Sequence, residues 1–122
     1  MIKNILNVFA VLLVSATVCQ QALAQYPQRP IKILVGFAAG GPTDSSARAL
    51  AEGMTKVLGQ QVVIENRPGA NAQIAAIELI KSPADGYTLM LASNGTLALG
   101  GARYAKLPYD VERDFTPIGS VA

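Results

Sequence analysis

The stretch IKILVGFAAGGPTD, residues 31–44, passes from an apolar run through glycine-rich sequence to polar residues that often begin helices. The run 31–35 is typical of a buried strand, and residues 36–42 indicate a tight loop. Thr43 or Asp44 is predicted to cap a helix, because a side-chain oxygen can accept from the free N–H groups of the first turn. The stretch therefore predicts a strand–loop–helix unit.

Apolar residues recur at helical spacing after this loop, and they predict which face of the helix is buried. The expected buried positions are Ala47, Leu50, Ala51, Met54, Val57 and Leu58. The opposite face carries Arg48, Glu52, Thr55 and Lys56. Gly59 is expected to end the helix, because glycine adopts the left-handed conformation at little cost.

Two further strands are predicted over residues 61–65 and 87–92, with a second helix between them. Asn71 is the expected cap of that helix, which runs to about Lys81. Its expected buried positions are Ile74, Ile77 and either Leu79 or Ile80. The continuous apolar character of the third strand suggests burial on both faces. The order β-α-β-α-β predicts an α/β fold with a parallel sheet and right-handed crossovers.

The pattern weakens after Ala92. Residues 93–96 are expected to form a loop, residues 97–104 a short helix, and residues 106–117 an irregular segment. Residues 116–122 look like the approach to a fourth strand. A sheet that stops there leaves an unpaired edge and uncovered apolar surface, so we expect the chain to be the incomplete start of a domain.

Residues 1–24 have the pattern of a secretory signal peptide. Lys3 provides the positive start, residues 5–18 the apolar core, and Ala22-Leu23-Ala24 the cleavage site before Gln25. A membrane anchor is the alternative, but a spanning helix needs about 20 apolar residues and this run is shorter. We therefore expect export from the cytoplasm, with no stable membrane insertion after cleavage.

The composition narrows the possible functions. The chain has no His, and its single Cys lies in the predicted leader. A Ser-His-Asp or Cys-His catalytic group is therefore excluded, and a metal site would lack its commonest ligands. Without Lys3, nine basic and eight acidic residues remain, with no basic patch for nucleic acid. We expect no enzyme activity, no metal, no cofactor and no nucleic-acid partner.

The glycine-rich loop carries most of the functional information in the sequence. A phosphate-binding loop with Gly36 and Gly41 at this spacing would need Lys where Pro42 stands, and a dinucleotide-binding loop would need Gly in place of Ala38. Ligands of open parallel sheets bind at this carboxyl edge. Two interpretations stay open: an anion site made by backbone N–H groups at a helix N-terminus, or a tight turn without function.

Four segments occur in order along the chain: GFAAGGPTD (36–44), VIENRPGA (63–70), PADGYTL (83–89), and KLPYD (106–110) with DFTP (114–117). Together they resemble the Bug-type periplasmic solute-binding proteins of tripartite tricarboxylate transporters. The resemblance implies a two-domain receptor with the type II periplasmic binding protein fold. Such a receptor closes on a small carboxylate ligand and passes it to membrane transporter subunits. Residues 25–122 would be the N-terminal part of its first domain, with the second domain absent.

The resemblance also implies which residues contact the ligand, largely through backbone N–H groups and water. By position they are Phe37, Ala38, Gly40, Gly41, Thr43 and Asp44 in the first loop, with Ser93, Asn94 and Thr96 after the third strand. Asp44 has two possible roles, as the helix cap or as a contact for a ligand amine or an ordered water. The strong preference of Asp for cap positions favours the first role.

The chain departs from the family pattern at two places. Asn71-Ala72 stand where the family usually has glycines, although Asn tolerates left-handed backbone. Near residues 99–102 the family often has Asn-Pro. The alternatives to a receptor are a truncated or partner-completed remnant of one, and an α/β enzyme or regulatory domain that uses the glycine-rich loop. Half a cleft cannot enclose a ligand, so we expect these residues alone to bind carboxylates weakly or not at all.

Overall fold

A computed structural model describes residues 26–97 and 107–121 of the chain, and the predicted leader lies outside this part. Its elements are β1 (Ile31–Val35), α1 (Pro42–Leu58), β2 (Val62–Asn66), a 3-10 turn (Ala70–Ala72), α2 (Gln73–Lys81), β3 (Thr88–Leu91), α3 (Asn94–Leu97) and α4 (Val111–Asp114). The predicted strands and long helices are all present, and the second and third strands are displaced or shortened by a residue at their ends.

The three strands form a parallel sheet in the order β2-β1-β3. Ile33 in the central strand lies opposite Ile64 of β2 and Leu89 of β3. The parallel α/β fold predicted from the alternation of strands and helices is therefore confirmed. Because all three strands run the same way, the loops that follow them leave the sheet at one edge.

The core lies between the sheet and α1. Its buried side chains are Ile31, Ile33, Val35, Ala47, Ala51 and Val62. Leu50, Met54 and Leu58 are half-buried against this core, as the helical spacing predicts. Val57 is 85% exposed, so its predicted burial is wrong. It lies about 80° around the helix from Ala47, at the margin of the apolar stripe.

The cap predicted at the start of α1 is absent, whereas the glycine predicted to end the helix does so. The helix begins at Pro42 with Gly41 at the N-cap position and no side-chain cap, so the predicted cap at Thr43 or Asp44 is wrong. Proline suits the first helical position, where its missing N–H leaves no donor unpaired. At the other end Gly59 adopts the left-handed conformation with φ 66°, as predicted, and its N–H donates to the Thr55 carbonyl.

Helix α2 packs on the sheet through small residues rather than large ones. Ala75 and Ala76 are fully buried, whereas Ile74 is 49% and Ile80 39% exposed. The small side chains let the helix backbone approach β1 and β3 closely. The predicted burial of Ile74 is therefore wrong, while Ile77 and Leu79 are half-buried.

The start of α2 also differs from the prediction. Asn71 is not its cap, because Ala72 holds the N-cap position and Asn71 lies in the preceding 3-10 turn with φ 54° and ψ 50°. The left-handed backbone expected to be tolerated at Asn71 is present.

The segments after β2 follow the predicted pattern less closely. All four residues of β3 are half-buried, because the strand lies at one edge of the described sheet, and its predicted two-faced burial is wrong. Residues 94–97 form one helical turn, α3, instead of the predicted loop. The helix predicted over 97–104 lies outside the described residues except for Leu97.

The last described segment contains one feature that the sequence analysis missed. Helix α4 interrupts the segment predicted to be irregular, and Asp110 caps it by accepting from the N–H groups of Glu112 and Arg113, each at 3.0 Å. Residues 116–121 form no strand, and Ala122 lies outside the described part. In the described ranges, none of the helices has both the length and the apolar character needed to cross a bilayer.

Candidate ligand-binding site

Three loops meet at the carboxyl edge of the parallel sheet. The glycine-rich loop, residues 36–41, follows β1; residues 67–72 follow β2; and residues 92–96 lead from β3 through α3. Ligands of open α/β sheets bind at this edge, where loops diverge from the strand ends. Seven of the nine predicted site residues lie in these loops, and Thr43 and Asp44 follow in the first turn of α1.

The glycine-rich loop is a tight turn that leads directly into α1. The Gly41 N–H donates to the Ala38 carbonyl at 3.4 Å, and Gly40 has φ 83°, a conformation that requires glycine here. The first helical hydrogen bond joins the Ser45 N–H to the Gly41 carbonyl at 2.9 Å. The turn thus brings the backbone of residues 38–41 beside the N-terminus of α1.

Several backbone donors around this turn have no protein acceptor. Within the described residues, the N–H groups of Ala38, Ala39, Thr43 and Asp44 make no hydrogen bond to the protein. Two of them belong to the first turn of α1, where the helix dipole places partial positive charge. This arrangement can bind a small anion such as a carboxylate.

Asp44 ties the glycine-rich loop to the first helix and the second strand. Its Oδ2 accepts from the Gly40 N–H at 2.9 Å and from Arg48 Nε at 2.8 Å. Its Oδ1 accepts from a second Arg48 nitrogen at 3.1 Å and from the Asn66 amide at 2.9 Å. The same Asn66 amide donates to the Phe37 carbonyl at 3.1 Å. The Asp44 carboxylate is 2% exposed and thus fixes the loop from within.

The Asp44 carboxylate is held in its charged form. The Arg48 guanidinium, then the Gly40 N–H and the Asn66 amide, hold the pKa of Asp44 far below its usual value, against an opposing effect of burial. Both oxygens are occupied by protein donors, so Asp44 acts as a structural anchor of the loop in place of the predicted N-cap.

A left-handed turn, Ala70–Ala72, lies between the other two loops. All three residues have positive φ, at 46°, 54° and 67°. A Cβ added to Gly36 would meet the Ala72 side chain and lie 2.6 Å from its Cα, so this turn packs directly against the glycine-rich loop. On its other side, the Asn71 amide donates to the Gly95 carbonyl at 3.3 Å.

The residues after β3 form a compact turn. Thr96 is 2% exposed, its N–H donates to the Ser93 carbonyl at 2.9 Å, and its hydroxyl lies 3.1 Å from the Ser93 hydroxyl. Ser93 is half-buried and Asn94 is exposed. The Thr96 hydroxyl therefore serves the turn itself, whereas Asn94 is accessible.

The structure thus places the nine predicted site residues in two clusters at one sheet edge. Ala38 and Gly40 are exposed, while Phe37, Gly41 and Thr43 are half-buried. The sequence analysis missed Arg48, Asn66 and Asn71, which hold the clusters in place. The spacing of Asp44 and Arg48, four residues apart on one helix, was a usable signal for their ion pair. No group of three or more Asp, Glu, Cys or His side chains suited to a metal ion occurs among residues 26–97 and 107–121.

Comparisons with known proteins agree with this architecture. The profile of the family described as "Tripartite tricarboxylate transporter family receptor" matches residues 46–122. The chain is 40% identical over 120 residues to BugT of Bordetella pertussis, covering 97% of this chain and 37% of BugT. It is 42% identical over 96 residues to a UPF0065 protein of Bordetella bronchiseptica, covering 79% of this chain and 29% of that protein.

Solved structures are similar in sequence and in fold. MatC from Rhodopseudomonas palustris, with bound malate, has a TM-score of 0.72 and 41% identity over 75% of this chain and 31% of its own. The R. palustris protein Rpa4515, with adipate, has a TM-score of 0.70 and 39% identity over the same shares. The chain spans about a third of the length of these relatives. It belongs to the TctC family of tripartite tricarboxylate transporter receptors.

Proposed function

We propose that the three loops at the carboxyl edge of the sheet form one side of the ligand cleft of a periplasmic receptor. The receptor captures a small dicarboxylate for a tripartite tricarboxylate transporter. The observation that carries the proposal is the set of unpaired N–H groups where the glycine-rich loop enters α1, at the carboxyl edge of the sheet. Such donors favour an anion without needing a basic side chain. The membrane subunits of the transporter are the proposed partners.

Two similar proteins support the proposed ligand class. MatC is known with malate and Rpa4515 with adipate, both of which are dicarboxylates. A loop that offers backbone donors fixes a carboxylate group and leaves the length of the carbon chain to other residues. A four- to six-carbon dicarboxylate is therefore the proposed ligand.

The contacts proposed for this chain are mainly backbone ones. The first loop and the start of α1 would contribute the unpaired N–H groups of Ala38, Ala39, Thr43 and Asp44, with Phe37, Gly40 and Gly41 shaping the loop. The third loop would contribute the accessible Asn94, with Ser93 and Thr96 holding its turn. The Asp44 carboxylate is excluded from this set of ligand contacts, since both of its oxygens already accept from protein donors. An amine on the ligand would therefore need a hydrogen-bond acceptor other than the Asp44 carboxylate.

The receptor is proposed to reach the periplasm through cleavage of residues 1–24. Intact-mass measurement of the protein in a periplasmic extract tests this step. A species that starts at Gln25 is expected, because the A-x-A sequence of residues 22–24 suits the signal peptidase. A species that retains Lys3 would contradict the proposed export.

Calorimetric titration of the intact gene product tests ligand capture. We expect at least one of the dicarboxylates malate, succinate and adipate to bind, with the tricarboxylate citrate as a comparison, while succinamide, the uncharged analogue of succinate, does not bind. The physical reason is that the helix dipole and N–H donors favour the charged form. Failure of malate, succinate and adipate to bind, or equal binding of succinamide, would refute the proposed function.

A further inference from the structure

Asp44 places a negative charge beside the proposed anion site. The carboxylate is 2% exposed, belongs to the first turn of α1 and accepts from Gly40 in the glycine-rich loop. The partial positive charge of a helix N-terminus is limited to about half an elementary charge. An unpaired Asp44 carboxylate would offset this partial positive charge and repel an anionic ligand. The site therefore needs a cation that compensates the charge of Asp44.

Arg48 is the cation that meets this carboxylate. Its guanidinium contacts both carboxylate oxygens, at 2.8 and 3.1 Å, from one turn further along α1. The Arg48 side chain is 56% exposed and that of Asp44 is 2% exposed, so the ion pair joins the surface to the interior. The pair carries no net charge, and it leaves the N–H groups of the first turn available.

No other charged group faces Asp44 from the elements around it, within the described ranges. Strand β2 offers the neutral Asn66 amide, and the glycine-rich loop has no ionisable side chain. Lys32 of β1 is paired with Glu65, which also contacts Arg67. Compensation of the Asp44 charge therefore falls to Arg48.

We propose that Arg48 is a positioning residue for the anion site, which acts through Asp44 by neutralising it and touches no ligand. This inference rests on the proposed function, because it assumes that the loop binds a carboxylate. A purely structural role predicts that loss of either partner weakens binding and that loss of both weakens it most. Charge compensation predicts a different order of ligand affinities. Loss of Arg48 alone weakens binding, and additional loss of the Asp44 charge restores it, because the cation is then unnecessary.

The test uses the intact gene product and three variants: Arg48→Met, Asp44→Asn, and the two combined. The probe is the tightest binder among malate, succinate, adipate and citrate, measured calorimetrically near pH 7 with circular dichroism confirming that each variant is folded. We expect Arg48→Met to lose about tenfold in affinity, the effect of a full charge in a partly buried helix N-terminus. The double variant should recover most of that loss, because the site is neutral again.

The pH dependence gives an independent readout. In the wild type the paired Asp44 stays charged, whereas in Arg48→Met the pKa of Asp44 rises, because the Arg48 guanidinium is the largest cause of its lowering. Protonation then removes the repulsion, so the affinity ratio of Arg48→Met to wild type should rise as pH falls towards 4. Taking the ratio at each pH cancels the titration of the ligand itself.

Lys56→Met is the matched control. Lys56 forms the same kind of pair four residues apart, with Glu52 at 2.7 Å, but on an exposed turn two turns further along α1. Its affinity and pH dependence should match the wild type. Wild-type affinity in Arg48→Met, or a double variant no better than Arg48→Met, would overturn the inference. If the wild type binds no member of the panel, the proposed function itself fails, and this inference fails with it.

Discussion

Gly36 is where the glycine-rich loop and the left-handed turn approach each other most closely, and Gly36→Ala tests that packing. A methyl group at this position would meet the Ala72 side chain and lie 2.6 Å from the Ala72 Cα. Gly36 and Ala72 are both buried, and each belongs to a segment fixed by backbone geometry. Neither can move aside by a change of rotamer, so the backbone itself must shift.

The expected cost follows from this geometry. Overpacking of a well-packed core costs typically 1–3 kcal/mol, and a clash with backbone belongs at the upper end. We therefore expect Gly36→Ala to lower the free energy of unfolding by about 3 kcal/mol. Because the shift would separate two of the three loops at the proposed site, ligand affinity should fall as well.

Urea denaturation of the intact gene product, followed by circular dichroism, measures this loss. Gly53→Ala is the matched control: nothing lies within 4 Å of its added methyl group, and the residue is in the interior of α1. It should stabilise the protein by about 0.5–1 kcal/mol, because alanine is the better helix former. Adding Ala72→Gly to Gly36→Ala should restore only part of the lost stability, because it removes the Ala72 methyl group and leaves the close contact with the Ala72 Cα. Equal stability of Gly36→Ala and the wild type would refute the proposed packing.

Three further predictions concern α1. Val57→Ser should change the unfolding free energy in urea by less than about 0.5 kcal/mol, because Val57 is 85% exposed. Leu58→Ser should lower it by about 2 kcal/mol, because Leu58 is half-buried against the core. Equal losses in the two variants would contradict the assigned helix face. Gly59→Ala should cost about 1–2 kcal/mol through its left-handed backbone alone, since no atom crowds the added methyl group; an unchanged urea midpoint would contradict this. The lowered pKa of Asp44 contributes stability that is fully present above about pH 4 and is lost as pH falls through the folded-state pKa. Acid should therefore lower the free energy of unfolding of the wild type more than that of Asp44→Asn below pH 4. Parallel acid profiles of the two proteins would contradict the hydrogen bonds and the ion pair assigned to Asp44.

The sequence was sufficient for the parts of the fold that depend on local periodicity. The apolar run of residues 31–35 forms the central strand. The apolar residues at helical spacing between Ala47 and Leu58, apart from Val57, lie on the side of α1 that faces the core. Gly59 ends that helix as its conformational freedom predicts. In each case the decisive signal lies within a single helix or strand, where pattern and structure are directly linked.

The parts that were missed depend on contacts between distant residues. Asn66 lies 22 residues from Asp44 and 29 from Phe37 along the chain, yet it bonds both. This contact is defined only after β2 pairs with β1. Likewise, Ala75 and Ala76 are buried in preference to the larger Ile74, because the close approach of α2 to the sheet selects small residues. Hydrophobicity alone does not carry that information.

The three positive φ values of the Ala70–Ala72 turn were only partly foreseeable. Asn71 is a residue that tolerates such backbone, but Ala70 and Ala72 are not, and left-handed backbone costs such residues about 1–2 kcal/mol each. The surrounding packing of Ala72 against Gly36 and the Asn71 bond to Gly95 must hold the turn. Strained backbone of this kind is concentrated at functional sites, which agrees with its place between the two predicted ligand loops.

We propose above all that the glycine-rich loop and the first turn of α1 bind a carboxylate through backbone N–H groups. Backbone amide resonances of the isotope-labelled intact gene product, followed by NMR during titration with malate or adipate, test it most directly. We predict the largest shifts at the unpaired amides of Ala38, Ala39, Thr43 and Asp44, and little change in the last turn of α1. Saturable binding that leaves those four amides unmoved would contradict the account.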